Sequence, residues 1–336
     1  MRTYLFTGFP WSAIGYSQYK FLPLIQIADI TGVYGVSFLV VAFNGAIVDL
    51  ILIKKKTEEI PFYPLAPRVM GFFLLVLFFI FTLLYGYKRL SETQVSGGPC
   101  NSGTGNSSQH IKITIIQGNI PQDRKWDPSF QDEVMKIYKD LTSEAILESP
   151  HMVVWPETAV PFIFKGDTPQ QLPRDKELPK ESSVQKNDGR QNYLATGISD
   201  EQRSMDLIEF VKARGIYLLF GSIREHKERD GLYYTNSAFL LNRDGKVTYI
   251  YDKIHLVPFG EYVPLRSLLF FIDKITVGIG DYRPGQSVKR AVTPFGKFST
   301  LICYEIIFPG LVRETVKEDV NFIVNITNDA WFGRTS

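Results

Sequence analysis

Two long runs of apolar residues near the N-terminus dominate the hydropathy pattern of the chain. Residues 31–53 contain a single acidic residue, Asp49, and residues 69–87 contain no charged residue. A helix needs about 20 mostly apolar residues to cross the hydrocarbon core of a bilayer. Both runs therefore predict transmembrane helices, with a pair of buried core helices as the alternative. We place a membrane region at residues 1–90.

The charges between the two runs predict how the chain is oriented. The connecting segment contains Lys54, Lys55, Lys56 and Arg68. Short loops rich in Lys and Arg stay on the cytoplasmic side, so the second helix is expected to run outward. Everything after about residue 90 then lies on the outer face. Lys88 and Arg89 weaken this argument without reversing it.

The pattern changes after the second run. Residues 91–109 are rich in Ser, Gly and Asn, which predicts a flexible linker. Residues 110–336 alternate apolar runs with amphipathic segments, which predicts an α/β domain whose sheets are covered by helices. We expect strands at 111–120, 151–157, 216–225, 233–257, 298–305 and 321–329, helices at 127–149, 204–215 and 307–319, and an exposed loop at 165–192. The segment 233–257 is expected to turn at Arg243–Gly245.

Composition narrows the possible classes of function. The hydrophobic fraction of 45% over 336 residues allows a large core, and a net charge of +2 gives no indication of a nucleic-acid partner. The two cysteines, Cys100 and Cys303, and the four histidines lack the spacing of a zinc site. No glycine-rich nucleotide-binding motif is present. We therefore expect neither a metal nor another cofactor, and no disulfide between the two cysteines.

Three polar residues follow apolar strands directly, namely Glu157, Lys253 and Cys303. In α/β folds, ligands and catalytic groups gather at the carboxyl ends of strands. A thiol can attack an acyl carbon once a carboxylate has taken its proton, and a lysine can stabilise the resulting oxyanion. The alternative is two surface charges and a buried core cysteine, and spacing alone leaves both interpretations open.

The segments WPET, DKIHLVPFGEYVP and CYEIIFP, in this order, resemble the carbon–nitrogen hydrolase, or nitrilase, superfamily. Together with GFPW, GYSQ, QGNIPQDRKWDP and TNDAWFG, they resemble its membrane-bound branch, the apolipoprotein N-acyltransferase family. The resemblance covers nearly the whole chain. It implies an α/β fold, a nitrilase-like αββα sandwich preceded by transmembrane helices. It also implies Glu157 as general base, Lys253 as oxyanion-stabilising lysine and Cys303 as nucleophile.

The same resemblance implies further site residues. Glu261 would be a second essential acid, Tyr304 and Glu305 would support the nucleophile, and Asn236 would position it or the lysine. Trp126 and Trp331 would line the entry for lipid or peptide. From the residues alone, Glu261 could equally be a surface charge, and each tryptophan an interfacial or core aromatic.

The activity implied by the resemblance is a two-step acyl transfer. An acyl chain passes from a membrane phospholipid, typically phosphatidylethanolamine, to the cysteine as a thioester. It then passes to the N-terminal amino group of the lipid-modified cysteine of a diacylated apolipoprotein. The implied location is the bacterial inner membrane, with a multi-pass chain and the catalytic domain on the periplasmic face. The alternatives are a membrane-tethered amidase or nitrilase and an inactive membrane-anchored scaffold.

The family pattern is longer than this sequence. It normally has further helices before GFPW, and its catalytic domain continues after TNDAWFG. We therefore expect an internal part of the pattern, with the sandwich incomplete at its C-terminal end. Such a part is expected to expose apolar surface and to be a weak enzyme alone.

Overall fold

The structure, a computed structural model, describes most of the chain in two units. The described residues are 10–54, 65–96, 110–125, 127–166, 198–228, 231–258, 260–262 and 282–328. The two compact units are residues 1–108 and 109–336. Parts of two predicted segments, the linker at 97–109 and the loop at 167–192, lie outside the described residues.

The N-terminal unit is helical. A 3₁₀ helix, Ile14–Gln18, precedes α1 (Leu22–Ile25), α2 (Ala28–Lys54) and α3 (Leu65–Ser96). The segments Ala28–Asp49 and Val69–Glu92 are long and apolar enough to cross a membrane. This confirms the prediction of two such helices, although α3 continues into the segment expected as linker. Most of the large apolar side chains of α2 and α3 are exposed, as expected of helices that face lipid.

Close packing and a polar contact join these helices. A Cβ atom on Gly86 would lie 1.8 Å from the backbone oxygen of Pro23, so a glycine is needed where α1 meets α3. The Tyr85 hydroxyl donates to the Asp29 carboxylate at 2.7 Å, and Arg89 Nε donates to the same oxygen at 3.1 Å. The contact therefore links the start of α2 to the second half of α3.

The C-terminal unit contains two sheets and four helices among the described residues. The strands are β1 (Ile113–Ile115), β2 (Met152–Val154), β3 (Leu218–Glu228), β4 (Gly231–Leu241), β5 (Val247–Asp252), β6 (Arg290–Thr293), β7 (Gly296–Ile302) and β8 (Phe322–Ile326). The helices are α4 (Gln122–Lys125), α5 (Gln131–Ala145), α6 (Asp200–Arg214) and α7 (Pro309–Lys317). The first sheet has the order β1-β2-β3-β4-β5, and the second has the order β6-β7-β8.

These elements form four layers. Alternate side chains of β2 point to opposite faces of the first sheet. Val153 packs in the cluster shared with α5 and α6, whereas Met152 and Val154 pack against the second sheet. On the far side of the second sheet, Leu311 of α7 packs with Leu301 of β7. The order helix, sheet, sheet, helix confirms the expected αββα sandwich.

Several boundaries differ from the sequence prediction. The strand expected to run through Glu305 ends at Ile302, because Cys303 has φ of 59° and begins a 3₁₀ helix. The helix expected over 127–149 is α5 flanked by two 3₁₀ turns. Asp127 does cap the first of these turns, as its carboxylate accepts from the Ser129 backbone N–H. The short strand β6 was not predicted.

Candidate active site

The predicted catalytic residues lie where three strands end. Strands β1, β2 and β3 are parallel, and two antiparallel pairings give β5 the same direction as β2. The carboxyl ends of β2 and β5 therefore lie at the same edge of the first sheet. Glu157 follows β2, Lys253 follows β5, and Cys303 follows β7 of the second sheet.

Glu157 is buried and held on both carboxylate oxygens. Its Oε1 accepts from Lys253 Nζ at 3.1 Å and from Asn236 Nδ2 at 2.8 Å. Its Oε2 accepts from the Asn328 backbone N–H at 3.1 Å. These donors fix the carboxylate, as a general base requires.

A glycine in β3 allows this arrangement. A Cβ atom on Gly221 would lie 2.4 Å from the backbone nitrogen of Thr158 and 2.8 Å from Glu157 Cα. Any side chain at this position would push the segment that carries Glu157 away from the sheet.

Lys253 is almost completely buried between two carboxylates. Its Nζ donates to Glu157 Oε1 at 3.1 Å and to Glu261 Oε1 at 3.0 Å. Burial acts to lower the pKa of Lys253, but the charges of Glu157 and Glu261 outweigh it and the pKa is raised. The lysine therefore stays an ammonium, and the two carboxylates use two of its three N–H donors.

Asn236 and Glu261 complete a buried polar ring around Lys253. Asn236 Nδ2 donates to both Glu157 Oε1 and Glu261 Oε1, each at 2.8 Å. The second oxygen of Glu261 accepts from the Val257 backbone N–H at 2.8 Å. Among the described residues, Asn236 Oδ1 is buried with no hydrogen-bond partner. The ring brings together four of the residues singled out in the sequence.

Cys303 lies beside this ring in a strained backbone conformation. Its φ of 59° is in the left-handed region, which non-glycine residues rarely adopt. The turn ends β7 and directs the next residues into a 3₁₀ helix. Burial, followed by the charge of Glu157, raises the pKa of the Cys303 thiol to about 11, and Lys253 opposes the shift. The resting group is therefore a thiol, which needs a base before it can attack.

Glu305 fixes the backbone on both sides of the site. Its Oε1 accepts from the backbone N–H groups of Ile254 and His255, at 2.7 and 3.0 Å. Its Oε2 accepts from the Ile302 N–H at 2.7 Å. Burial raises the pKa of Glu305 to about 7, against the opposite effect of these N–H groups. This one side chain ties the segment after Lys253 to the turn that carries Cys303.

Tyr304 supports the same turn. Its hydroxyl donates to the Leu256 backbone oxygen at 2.6 Å, and its ring packs edge-on against Phe308. Lys253 Nζ lies 5.6 Å from the ring centroid, so the tyrosine also forms one wall of the lysine's environment.

The geometry can support nucleophilic acyl chemistry. It combines a thiol on a strained backbone, a fixed carboxylate and a buried ammonium that gives two of its three N–H groups to carboxylates. Among the described residues, no cluster of three or more His, Cys, Asp or Glu side chains could hold a metal ion. Trp126 and Trp331 lie outside the described residues, so their proposed place at the entry stays a prediction.

Comparison with known families covers the segment that contains this site. The pattern of the family described as Carbon-nitrogen hydrolase matches residues 112–336, which include Glu157, Lys253 and Cys303. The chain belongs to the carbon–nitrogen hydrolase family. The pattern of the Apolipoprotein N-acyltransferase N-terminal domain matches residues 1–46 of the same chain.

Individual proteins similar to this carbon–nitrogen hydrolase include two apolipoprotein N-acyltransferases. The one from Geobacter metallireducens is 41% identical over 336 residues, which are 100% of this chain and 55% of that protein. The one from Rickettsia prowazekii is 30% identical over 338 residues, covering 100% of this chain and 56% of that protein. The chain thus spans about half the length of the curated relatives it matches. A solved amidase from Nesterenkonia sp. is 19% identical and covers 68% of each chain, with a TM-score of 0.41.

Sequence reasoning missed two contacts of Glu157. Lys125, at the end of α4, donates from Nζ to the backbone oxygen of Glu157 at 3.0 Å. Asn328 contributes a backbone N–H, which any residue but proline could supply. Both residues belong to motifs quoted for the resemblance to the apolipoprotein N-acyltransferase family, QGNIPQDRKWDP and TNDAWFG. The presence of these two residues in the family motifs could have indicated a role at the site. The residue types, a lysine and an asparagine, did not indicate it.

Proposed function

We propose that this chain carries the acyl-transfer site of an apolipoprotein N-acyltransferase. The observation that carries the proposal is the buried contact of Glu157 with Lys253 beside the strained Cys303 turn. The two relatives described above have this activity in their names, and the family pattern at residues 1–46 agrees with them.

In the first step, Glu157 takes the thiol proton as the Cys303 sulfur attacks the ester carbonyl of a phospholipid. The developing oxyanion is stabilised by the third N–H of Lys253. When the tetrahedral intermediate collapses, the lysophospholipid oxygen leaves and takes the proton from Glu157. The acyl chain remains on Cys303 as a thioester.

In the second step, an amine attacks the thioester. Glu157 accepts a proton from the attacking nitrogen, and Lys253 again stabilises the oxyanion. Collapse forms an amide and releases the sulfur, which regains the proton from Glu157. The proposed acceptor is the N-terminal amino group of a diacylated apolipoprotein, and the proposed donor is phosphatidylethanolamine.

The proposed location is the bacterial inner membrane, with the catalytic domain on its outer face. Two helices long and apolar enough to cross a bilayer support a membrane-bound site. The cluster Lys54, Lys55, Lys56 and Arg68 between them supports the orientation. A site held at the membrane surface would meet lipid donor and lipid-modified acceptor without releasing either.

The test follows a labelled acyl chain. The full chain in phospholipid vesicles receives phosphatidylethanolamine labelled in its acyl chains, and then a peptide with an N-terminal diacylated cysteine. We expect a hydroxylamine-sensitive label on the protein that moves to the peptide amine. Cys303→Ala should abolish the adduct, whereas the matched control Cys100→Ala should leave it unchanged.

Other outcomes would contradict the proposal. Label that appears only as free fatty acid would identify a hydrolase, the membrane-tethered amidase or nitrilase alternative. An adduct that survives Cys303→Ala would remove the proposed nucleophile. Folded protein that forms neither adduct nor product would favour the inactive scaffold.

A further inference from the structure

The ring around Lys253 carries an unbalanced charge. Two carboxylates, Glu157 and Glu261, lie within hydrogen-bonding distance of this one ammonium. All three side chains are buried. Two like charges that share one cation away from water repel each other, so a further positive charge nearby would stabilise the arrangement.

A second buried lysine also contacts Glu157. Lys125 is only 4% exposed, although it comes from the short, polar helix α4. Its Nζ donates to the Glu157 backbone oxygen at 3.0 Å. The same helix is also joined to the loop after β8, since Gln122 Oε1 accepts from Asn328 Nδ2 at 3.3 Å. Lys125 is therefore held in place close to the proposed base.

Burying an ammonium is costly. The penalty is several kcal/mol unless the charge interacts with an opposite one. The charge of Glu157 acts on Lys125, so Glu157 is one of the groups that stabilise the buried ammonium.

We propose that Lys125 is a positioning residue that holds the backbone of Glu157, the proposed base, and places a second positive charge beside it. The proposal rests on the proposed function, because it assigns a role to a neighbour of the same residue. With Lys125 present, two ammonium groups balance the carboxylates of Glu157 and Glu261.

The pKa of Lys125 agrees with its role as a second positive charge. Burial lowers the pKa of Lys125 to about 8, and the charge of Glu157 opposes the shift. Lys125 is thus still largely cationic at neutral pH. Lys253 is surrounded by Glu157, Glu261 and the Cys303 thiol, and its charge also reaches Glu305.

The experiment separates the charge of Lys125 from its hydrogen bond. Acylation of the full chain in detergent micelles is followed as the burst of nitrophenolate from a p-nitrophenyl fatty-acid ester, from pH 5 to 9. All variants carry Cys100→Ala, and the burst of Cys303→Ala is subtracted. Lys125→Gln keeps an N–H donor without charge, Lys125→Met keeps neither, and Lys125→Arg keeps both.

We expect Lys125→Gln and Lys125→Met to lower the burst rate at pH 7 by about tenfold, the rate equivalent of 1.4 kcal/mol. Lys125→Arg, which keeps both the charge and the donor, should stay close to the wild type across this pH range. The matched control is Lys136→Met, which changes an exposed lysine of α5 and should have no effect. In a Glu157→Gln background, Lys125→Gln should cause no further loss.

The contrary outcomes are distinct. A normal burst rate in Lys125→Gln would overturn the proposal and leave the acyl-transfer function standing. An equal loss in the wild-type and Glu157→Gln backgrounds would show a structural role only. A wild-type chain with no Cys303-dependent burst would overturn both proposals. If Lys125→Met does not fold, the comparison of Lys125→Gln with Lys125→Arg still tests whether the positive charge is needed.

Discussion

At the residue scale, the site depends on buried groups whose charge is set by their surroundings. Glu305 shows this most directly, because its carboxylate accepts from three backbone N–H groups and from the Tyr251 hydroxyl. Loss of any of these hydrogen bonds would leave a buried donor or acceptor without a partner, which is costly. Glu305 therefore acts as a structural anchor for the Cys303 turn, in line with the supporting role that the family resemblance implies for it.

Glu305 should make stability depend on pH. Its pKa is about 7 in the folded protein against an ordinary 4.5, because burial disfavours the charged form. The folded state thus holds a proton that the unfolded state releases. The group's contribution is complete below pH 4.5 and is lost as pH rises through about 7, by about 1.4 kcal/mol per unit of pKa difference. Thermal unfolding at pH 5 and pH 7.5 measures this loss.

The variant Glu305→Gln cannot titrate, so its stability should change less between these pH values than that of the wild type. Glu314→Gln is the matched control, because Glu314 is exposed on α7, and it should keep the wild-type dependence. Equal pH dependence in Glu305→Gln and the wild type would show that Glu305 is not the titrating group.

The sequence indicates the positions of the candidate site residues more clearly than the environment in which they lie. Glu157, Lys253 and Cys303 follow apolar strands, and this position can be predicted from the sequence alone. The burial of Lys125 cannot be predicted in this way, because a lysine in a polar stretch is usually at the surface. The contact from Asn328 is made by its backbone and carries no residue-type signal.

At the element scale, β3 must approach the segment after β2 very closely. Gly221→Ala would place a methyl group 2.4 Å from the Thr158 backbone nitrogen. Backbone cannot rotate away as a side chain can, so Glu157 would move relative to Lys253. We expect a loss of about 1–3 kcal/mol in stability and at least a tenfold lower acylation burst.

The matched control is Gly310→Ala in α7, where nothing lies within 4 Å of the added Cβ atom. It should change stability by no more than about 0.5 kcal/mol and leave the burst unchanged. Thermal unfolding and the nitrophenyl ester assay compare both variants. A Gly221→Ala chain with normal acylation would show that the close approach is not needed for the site.

The layers of the sandwich follow from side-chain alternation, which the sequence does reveal. Residues 152–155 alternate between the two core clusters, as a strand buried on both faces requires. Strand ends were harder to predict. In the sequence, the apolar run that leads into Cys303 continues through Tyr304. In the structure, the strand ends at Ile302, because Cys303 has a positive φ. Such a conformation comes from tertiary packing rather than local propensity.

At the scale of the whole molecule, the surfaces of the two units are suited to different surroundings, lipid for one and water for the other. The C-terminal unit buries its apolar residues in continuous clusters between layers. In the N-terminal unit, large apolar side chains such as Phe73, Phe81 and Leu84 are exposed. Exposed apolar surface on this scale is stable in lipid but not in water. The proposed orientation then decides which compartment contains the catalytic unit.

Cysteine labelling tests this orientation, and the chain offers a suitable reporter. Cys100 follows the second apolar helix, and in a Cys303→Ala background it is the one thiol of the chain. If the positive cluster at Lys54–Lys56 stays in the cytoplasm, a membrane-impermeant maleimide should label Cys100 in intact spheroplasts. The matched control is Thr57→Cys with both native cysteines replaced by alanine, which should be labelled only after permeabilisation. The reverse pattern would place the catalytic unit in the cytoplasm, and the proposed acceptor could then not be a lipoprotein on the outer face.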